Sequence, residues 1–164
     1  MTDRQHIPVQ KQKGTAAIPE RLKALDAHGH FAVLATDDNG RPYTSLVSCA
    51  LMADTKQLVF ATSRKTRKYA NIIRSANVAL LIDNRSQKRN KLFETEAVTI
   101  IGIAKPVRKS GFREKLMKAL LNKHPALEEF IRSPTTALVV VDITQCVHVS
   151  QFQTVTVWNF PESR

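Results

Sequence analysis

A chain of 164 residues can bury one hydrophobic core without disulfides or a structural metal, and is of the size expected for one domain. Lys and Arg outnumber Asp and Glu by 25 to 14, for a formal net charge of +11. That excess fits nucleic acid, an anionic surface or a phosphate-bearing ligand, and composition alone does not choose among them. Cys49 and Cys146 lack a CxxC partner or a histidine at metal-ligand spacing, so both read as free, buried thiols and no metal is assigned. No signal-peptide pattern follows Met1, and no apolar run nears the roughly 20 residues of a membrane span. A cytoplasmic protein without a membrane partner is expected.

Residues 1–14 are polar and aperiodic and are expected to form a mobile arm before a single domain over 15–164. Ile18, Leu22 and Leu25 recur at helical spacing and Gly29 supplies a stop, so a short helix is expected to cover one end of the fold. Phe31 to Thr36 is a strand run, Asp38-Asn39-Gly40 a tight-turn signal, and Pro42 to Met52 a second extended run. A turn at Ala53 to Lys56 leads into a third, Gln57 to Thr62, so the domain opens with three antiparallel strands in a meander. Tyr69, Ile72, Ile73 and Ala76 mark a helix face, Val78 to Asp83 a strand, and Asn84 to Lys91 a polar loop. Ala97 to Val107 reads as a long strand with Gly102 at a bulge or bend. Phe112 to Leu121 and a segment after His124-Pro125 form a helical insertion. The strands Thr136 to Ile143, Cys146 to Phe152 and Thr154 to Trp158 close the list. Six to eight strands with isolated helices give an α+β fold built on an antiparallel barrel rather than a doubly wound parallel sheet.

Chemistry concentrates where a strand meets a helix, at Ala61-Thr62-Ser63-Arg64-Lys65-Thr66-Arg67-Lys68-Tyr69. A helix N-terminus carries partial positive charge and unpaired N–H groups, so Arg67 and Lys68 in its first turn cost roughly 0.3 to 1 kcal/mol each. A bound phosphate reverses that penalty, because the N–H groups, the Thr66 hydroxyl and both cations can donate to it. The alternative is a solvated basic surface on which Thr66 is an ordinary N-cap. The segment has no glycine, which excludes the Walker and dinucleotide loops. Three separate basic clusters, around Arg64 to Lys68, Lys88 to Lys91 and Lys105 to Lys118, argue against one nucleic-acid arm. Tyr43, Tyr69 and Trp158 are too scattered for a base-stacking platform, so nucleic acid is disfavoured. His28, His30 and His148 read as structural or solvated, and no nucleophile elbow supports hydrolysis.

The hairpin Gly40-Arg41-Pro42-Tyr43-Thr44-Ser45-Leu46-Val47-Ser48, the segment Leu58 to Lys68 and the strand Asn77-Val78-Ala79-Leu80-Leu81 together resemble the pyridoxamine 5'-phosphate oxidase-like flavin proteins. The resemblance implies a split β-barrel holding FMN. Thr44, Ser45, Leu46, Val47 and Ser48 would run along the flavin ring, and Thr62, Ser63, Thr66, Arg67 and Lys68 would hold its phosphate. It also implies a homodimer with the cofactor between subunits, where Asn84 and Arg85 are candidates for ring or phosphate contacts. Ser45 and Ser48 could equally fill a barrel wall, and Asn84 and Arg85 could equally be a solvated turn. The long polar loop and the helical insertion look more like the uncharacterised branches of the family, haem-utilisation-related members among them, than the vitamin B6 oxidase. The expected function is FMN-dependent hydride or electron transfer to an unidentified small molecule, with no catalytic side chain required. The rivals are an F420-dependent reductase, a flavin or haem carrier or sensor, and a nucleic-acid-binding protein.

Overall fold

The computed structural model describes residues 17–88, 90–108, 110–150 and 154–160. The expected arm, residues 1–14, lies outside them, as do Arg89, Lys109 and Phe152. Eight strands form one antiparallel sheet: β1 Ala32–Asp38, β2 Arg41–Val47, β3 Cys49–Leu51, β4 Gln57–Ser63, β5 Asn77–Asp83, β6 Glu96–Pro106, β7 Thr136–Ser150 and β8 Thr154–Asn159. Four helices accompany them: α1 Ala17–His28, α2 Arg67–Arg74, α3 Ser110–Lys123 and α4 Glu128–Arg132.

The strand order is β2-β1-β5-β6-β7-β4-β3, with β8 also on β7. The two ends of that order, β2 and β3, are separated only by Ser48. They are therefore halves of one bent strand: the first pairs with β1 (Leu34 opposite Ser45), the second with β4 (Ala50 opposite Val59). The expected meander is present, but its middle strand bends at Ser48, so the sheet curls round and both its ends meet in one chain segment. This is the split barrel, an α+β fold.

The barrel's wall has two faces and two cores. Leu34, Phe60, Leu80, Ile100, Val139 and Val141 fill the interior, and α1 covers one end with Ile18, Leu22 and Leu25. On the outside, Val59, Leu138 and Val140 pack under Leu116 and Leu120 of α3 and Ile131 of α4. Thr136 to Val141 are accordingly all buried, which explains the unbroken apolar run from Ala137 to Val141. Asp26 of α1 and Lys123 of α3 form a largely buried ion pair at 2.6 Å, and the second Asp26 oxygen accepts the Leu51 N–H at 3.2 Å.

Two local features follow the sequence closely. Asn39 and Gly40 both have positive φ (55° and 81°), the conformation that a two-residue type I′ hairpin needs, and Gly40 N–H donates to Asp37. At Gly102 the β6–β7 register shifts, Ile101 facing Gln145 and Gly102 facing Ile143, so Thr144 is the extra residue of a bulge. Its hydroxyl donates to the Ile101 carbonyl at 3.1 Å. One expectation is corrected: Thr136 to Ile143 and Cys146 to Phe152 are not two strands. A single strand passes through the bulge because β7 must pair with β6 along one edge, and with β4 and then β8 along the other.

Candidate functional site

Where β4 runs out at Ser63 and α2 begins, the chain makes a turn fastened at both ends. Arg64 N–H donates to the Thr135 carbonyl and Thr66 N–H to the Ser63 carbonyl. Thr66 is the N-cap: its Oγ1 accepts the Tyr69 N–H at 3.3 Å, and its hydroxyl donates to the Ser63 carbonyl at 2.9 Å. The buried Thr62 hydroxyl lies 2.9 Å from Thr66 Oγ1. Among the described residues, the first-turn N–H groups of Arg67 and Lys68 have no backbone acceptor, and they are left as free donors.

Beside this turn lies a groove of about 280 Å³, lined by Leu46, Val47 and Ser48 of the bent strand, by Ala61, Thr62, Ser63, Thr66 and Lys68, and by Leu127 and Phe130. The lining combines hydroxyls and the Lys68 ammonium with apolar side chains. Leu46 (64% exposed) and Phe130 (41%) are open to solvent there, although both are large apolar side chains. Three consecutive residues of the bent strand line it, Leu46 and Val47 at the end of β2 and Ser48 at the bend. Among the described residues β2 pairs only with β1, which leaves N–H and C=O groups on its other edge.

The twelve sequence-derived candidates divide. Leu46, Val47, Ser48, Thr62, Ser63, Thr66 and Lys68 line the groove together. Thr62 and Thr66 contribute shape more than donors, because each carries one proton and the cap network uses both. Thr44 and Ser45 sit earlier on β2, outside the lining. Ser45 lies opposite Leu34, facing the barrel interior, and its Oγ is buried without a hydrogen-bond partner among the described residues. Arg67 turns away to the hairpin tip, where its Nε and Nη2 both donate to Asp38 Oδ2 and its guanidinium lies 4.8 Å from the centre of the Tyr43 ring. Asp38 takes Arg74 on its other oxygen at 2.7 Å, and the hydrogen bonds from Arg67 and then Arg74 hold its carboxyl below the ordinary value.

Asn84 and Arg85 lie in the β5–β6 loop, outside the groove lining. Asn84 is buried and staples its loop: its Oδ1 accepts the Glu96 N–H at 2.9 Å and its Nδ2 reaches the Glu94 carbonyl at 3.4 Å. Arg85 pairs with Asp83 at 3.2 Å. The apolar wall from Leu127 and Phe130 escaped the sequence reading, because it belongs to the helical insertion, and only the fold brings that segment beside β4.

An antiparallel sheet closed through one bent strand, with a half-polar groove at a strand-to-helix turn, defines a split β-barrel protein. The chain belongs to the family described as Pyridoxamine 5'-phosphate oxidase, which it matches over residues 18–150. It is similar in structure to a heme-binding protein from Mycobacterium smegmatis (18% identity, TM-score 0.76, covering 86% of this chain and 57% of that one). It is also similar to HutZ, a heme storage protein from Vibrio cholerae (16%, TM-score 0.68, covering 82% and 95%). A third similar structure is a putative pyridoxamine 5'-phosphate oxidase from Listeria innocua (15%, TM-score 0.60, covering 78% and 94%). The chain thus spans little more than half of the mycobacterial protein. At these identities the likeness is one of fold. No curated protein matches the chain.

Proposed function

We propose that the groove binds FMN and that the protein is a flavin-dependent oxidoreductase acting on a small molecule. The observation carrying this reading is the mixed lining of the groove, whose hydroxyls and ammonium suit a phosphate and whose apolar side chains suit a flat ring. Ser63 keeps its hydroxyl proton for an anion, since its Oγ only accepts, from the Lys65 N–H at 3.3 Å. The Lys68 ammonium and the first-turn N–H groups add charge-assisted donors. The open edge of Leu46 to Ser48 offers backbone groups to the amide rim of an isoalloxazine, and Leu46 and Phe130 offer apolar contact to its face. A bound flavin supplies hydride or electron transfer, while these residues bind it, orient it and limit water.

A volume of about 280 Å³ lies just below the range for small-molecule pockets, roughly 300 to 1,000 Å³. A homodimer covering the open side would enlarge it. Its interface would be the outer sheet face, where Val33, Leu81, Ile101 and Val157 remain partly or largely exposed. Two free thiols held in the core, and no helix among the described residues long and apolar enough to cross a membrane, suit a reducing cytoplasm.

The test is a fluorescence titration with FMN and with riboflavin. The wild-type protein should prefer FMN, and Lys68→Ala should lose about tenfold in FMN affinity with its unfolding midpoint unchanged. Equal affinity for the two flavins would remove the phosphate site.

Haem carriage is a second reading, favoured by the names of the mycobacterial and Vibrio neighbours. Against it, neither buried histidine lines the groove: His124 Nε2 lies 2.9 Å from the Cys49 carbonyl and His148 Nε2 lies 2.9 Å from Glu96. A Soret band after haem reconstitution, lost on replacing a groove residue, would favour it.

A further inference from the structure

Arg67 occupies the first position of α2, next in the chain to Lys68, yet only Lys68 lines the groove. Its guanidinium is held by Asp38 and by the face of Tyr43. Arg74 is held differently. Its Nη2 donates to Asp38 Oδ1 at 2.7 Å and to Asn71 Oδ1 at 2.6 Å, and the fully buried Asn71 is fixed in turn by donating to Thr36 Oγ1 at 3.0 Å. Both side chains are about half exposed, Arg74 at 47% and Arg67 at 59%, but Arg74 also bonds to a side chain buried in the α2–β1 contact. If Arg67 left, Asp38 would keep a cationic partner. The arrangement is asymmetric: Arg74 has Asn71 as a second acceptor, whereas both Arg67 hydrogen bonds go to Asp38.

We propose that Arg67 is a mobile clamp parked on Asp38 and Tyr43, that a phosphate-bearing ligand draws it into the groove, and that Asp38 is the residue setting the affinity of this exchange. The inference rests on the proposed phosphate site and adds its regulation. A ligand without phosphate gives Arg67 no reason to leave Asp38, so Asp38 selects for the anionic group without touching it. Removing the Asp38 charge frees Arg67, while Arg74 loses its ion pair with Asp38 but keeps its hydrogen bond to Asn71. The exchange involves no proton transfer and no covalent step; one charge-assisted pair replaces another.

The experiment is a double-mutant cycle on the full chain with Asp38→Asn and Arg67→Ala, titrated with FMN and with riboflavin. Asp38→Asn should tighten FMN about threefold, the size of one exposed ion pair, and leave riboflavin unchanged. Arg67→Ala should weaken FMN, and in that background Asp38→Asn should have no effect. A merely structural clamp behaves differently: losing Asp38 would loosen the hairpin tip and weaken both flavins in either background, and that result overturns the proposal. The Arg67 Nε–H resonance with inorganic pyrophosphate as the probe separates the two failures. If no variant binds flavin but pyrophosphate still shifts that resonance, and Asp38→Asn shifts it beforehand, the flavin reading fails and the exchange stands. If neither flavin nor pyrophosphate has any effect, both fail.

Discussion

Replacing Gly102 with alanine tests the geometry that closes the barrel. A Cβ built on Gly102 would lie 2.4 Å from the Asp142 carbonyl oxygen and 2.7 Å from Val141 Cγ1. Both are closer than real Cβ contacts, and the nearer atom is backbone, which cannot swing aside like the end of a flexible side chain. Relief requires β6 and β7 to part beside the Thr144 bulge, where Gly102 faces Ile143 and Ile103 faces Asp142. Overpacking of a well-packed site costs about 1 to 3 kcal/mol, and a clash with backbone belongs at the upper end, about 3 kcal/mol. In a domain of this length each kcal/mol lowers the melting temperature by about 2 to 4 °C, so a loss of roughly 6 to 12 °C is expected. Thermal unfolding followed by far-ultraviolet circular dichroism, with the same scan on Gly111→Ala, measures it; nothing lies within 4 Å of a Cβ at Gly111. A Gly102→Ala melting temperature equal to that of Gly111→Ala would refute the close-approach argument.

Thr66→Ala removes the α2 cap and should cost about 1 kcal/mol in urea unfolding. Lys123→Ala leaves the largely buried Asp26 carboxyl without its partner and should cost about 3 kcal/mol by the same measure. Burial pushes the Cys49 and Cys146 thiols up to about 12, so below pH 9 neither should react with a thiol reagent in the native protein. The unfolded thiols ionise near pH 9, so the stability that buried neutral thiols provide is complete below that pH and is lost as pH rises toward 12. Cys49→Ala should make unfolding stability fall less steeply over that window, and an unchanged slope would contradict it.

The fold was legible where one residue dictates local geometry. Asn39-Gly40 specifies its hairpin through two positive φ angles, and Gly102 marks the place where two backbones come too close for a side chain. Ile18, Leu22 and Leu25 announce the face with which α1 closes the barrel. The bend at Ser48 was not legible, because the apolar pattern continues from Val47 through Leu51 while the pairing partner changes from β1 to β4. Polar Thr144 and Gln145 read as a break in β7, although they are a bulge within one strand.

At the candidate site, the hydroxyls and cations could be placed from the strand-to-helix junction alone, since they are neighbours in the chain. Which cation lines the groove could not. Arg67 faces Asp38, 29 residues away, only because the hairpin tip folds against α2. Phe130 reaches the groove only because the helical insertion packs outside β4 and β7. Asn84 looked available in sequence because a buried asparagine that staples its own loop carries the same polar signature as one that faces a ligand.

The most direct test of the account is the absorption spectrum of the protein after incubation with FMN and removal of excess by desalting. Retained flavin bands at about one FMN per chain, lost in Lys68→Ala, are the expected result. A colourless wild-type protein, or flavin retained equally by Lys68→Ala, would contradict the assignment of the groove.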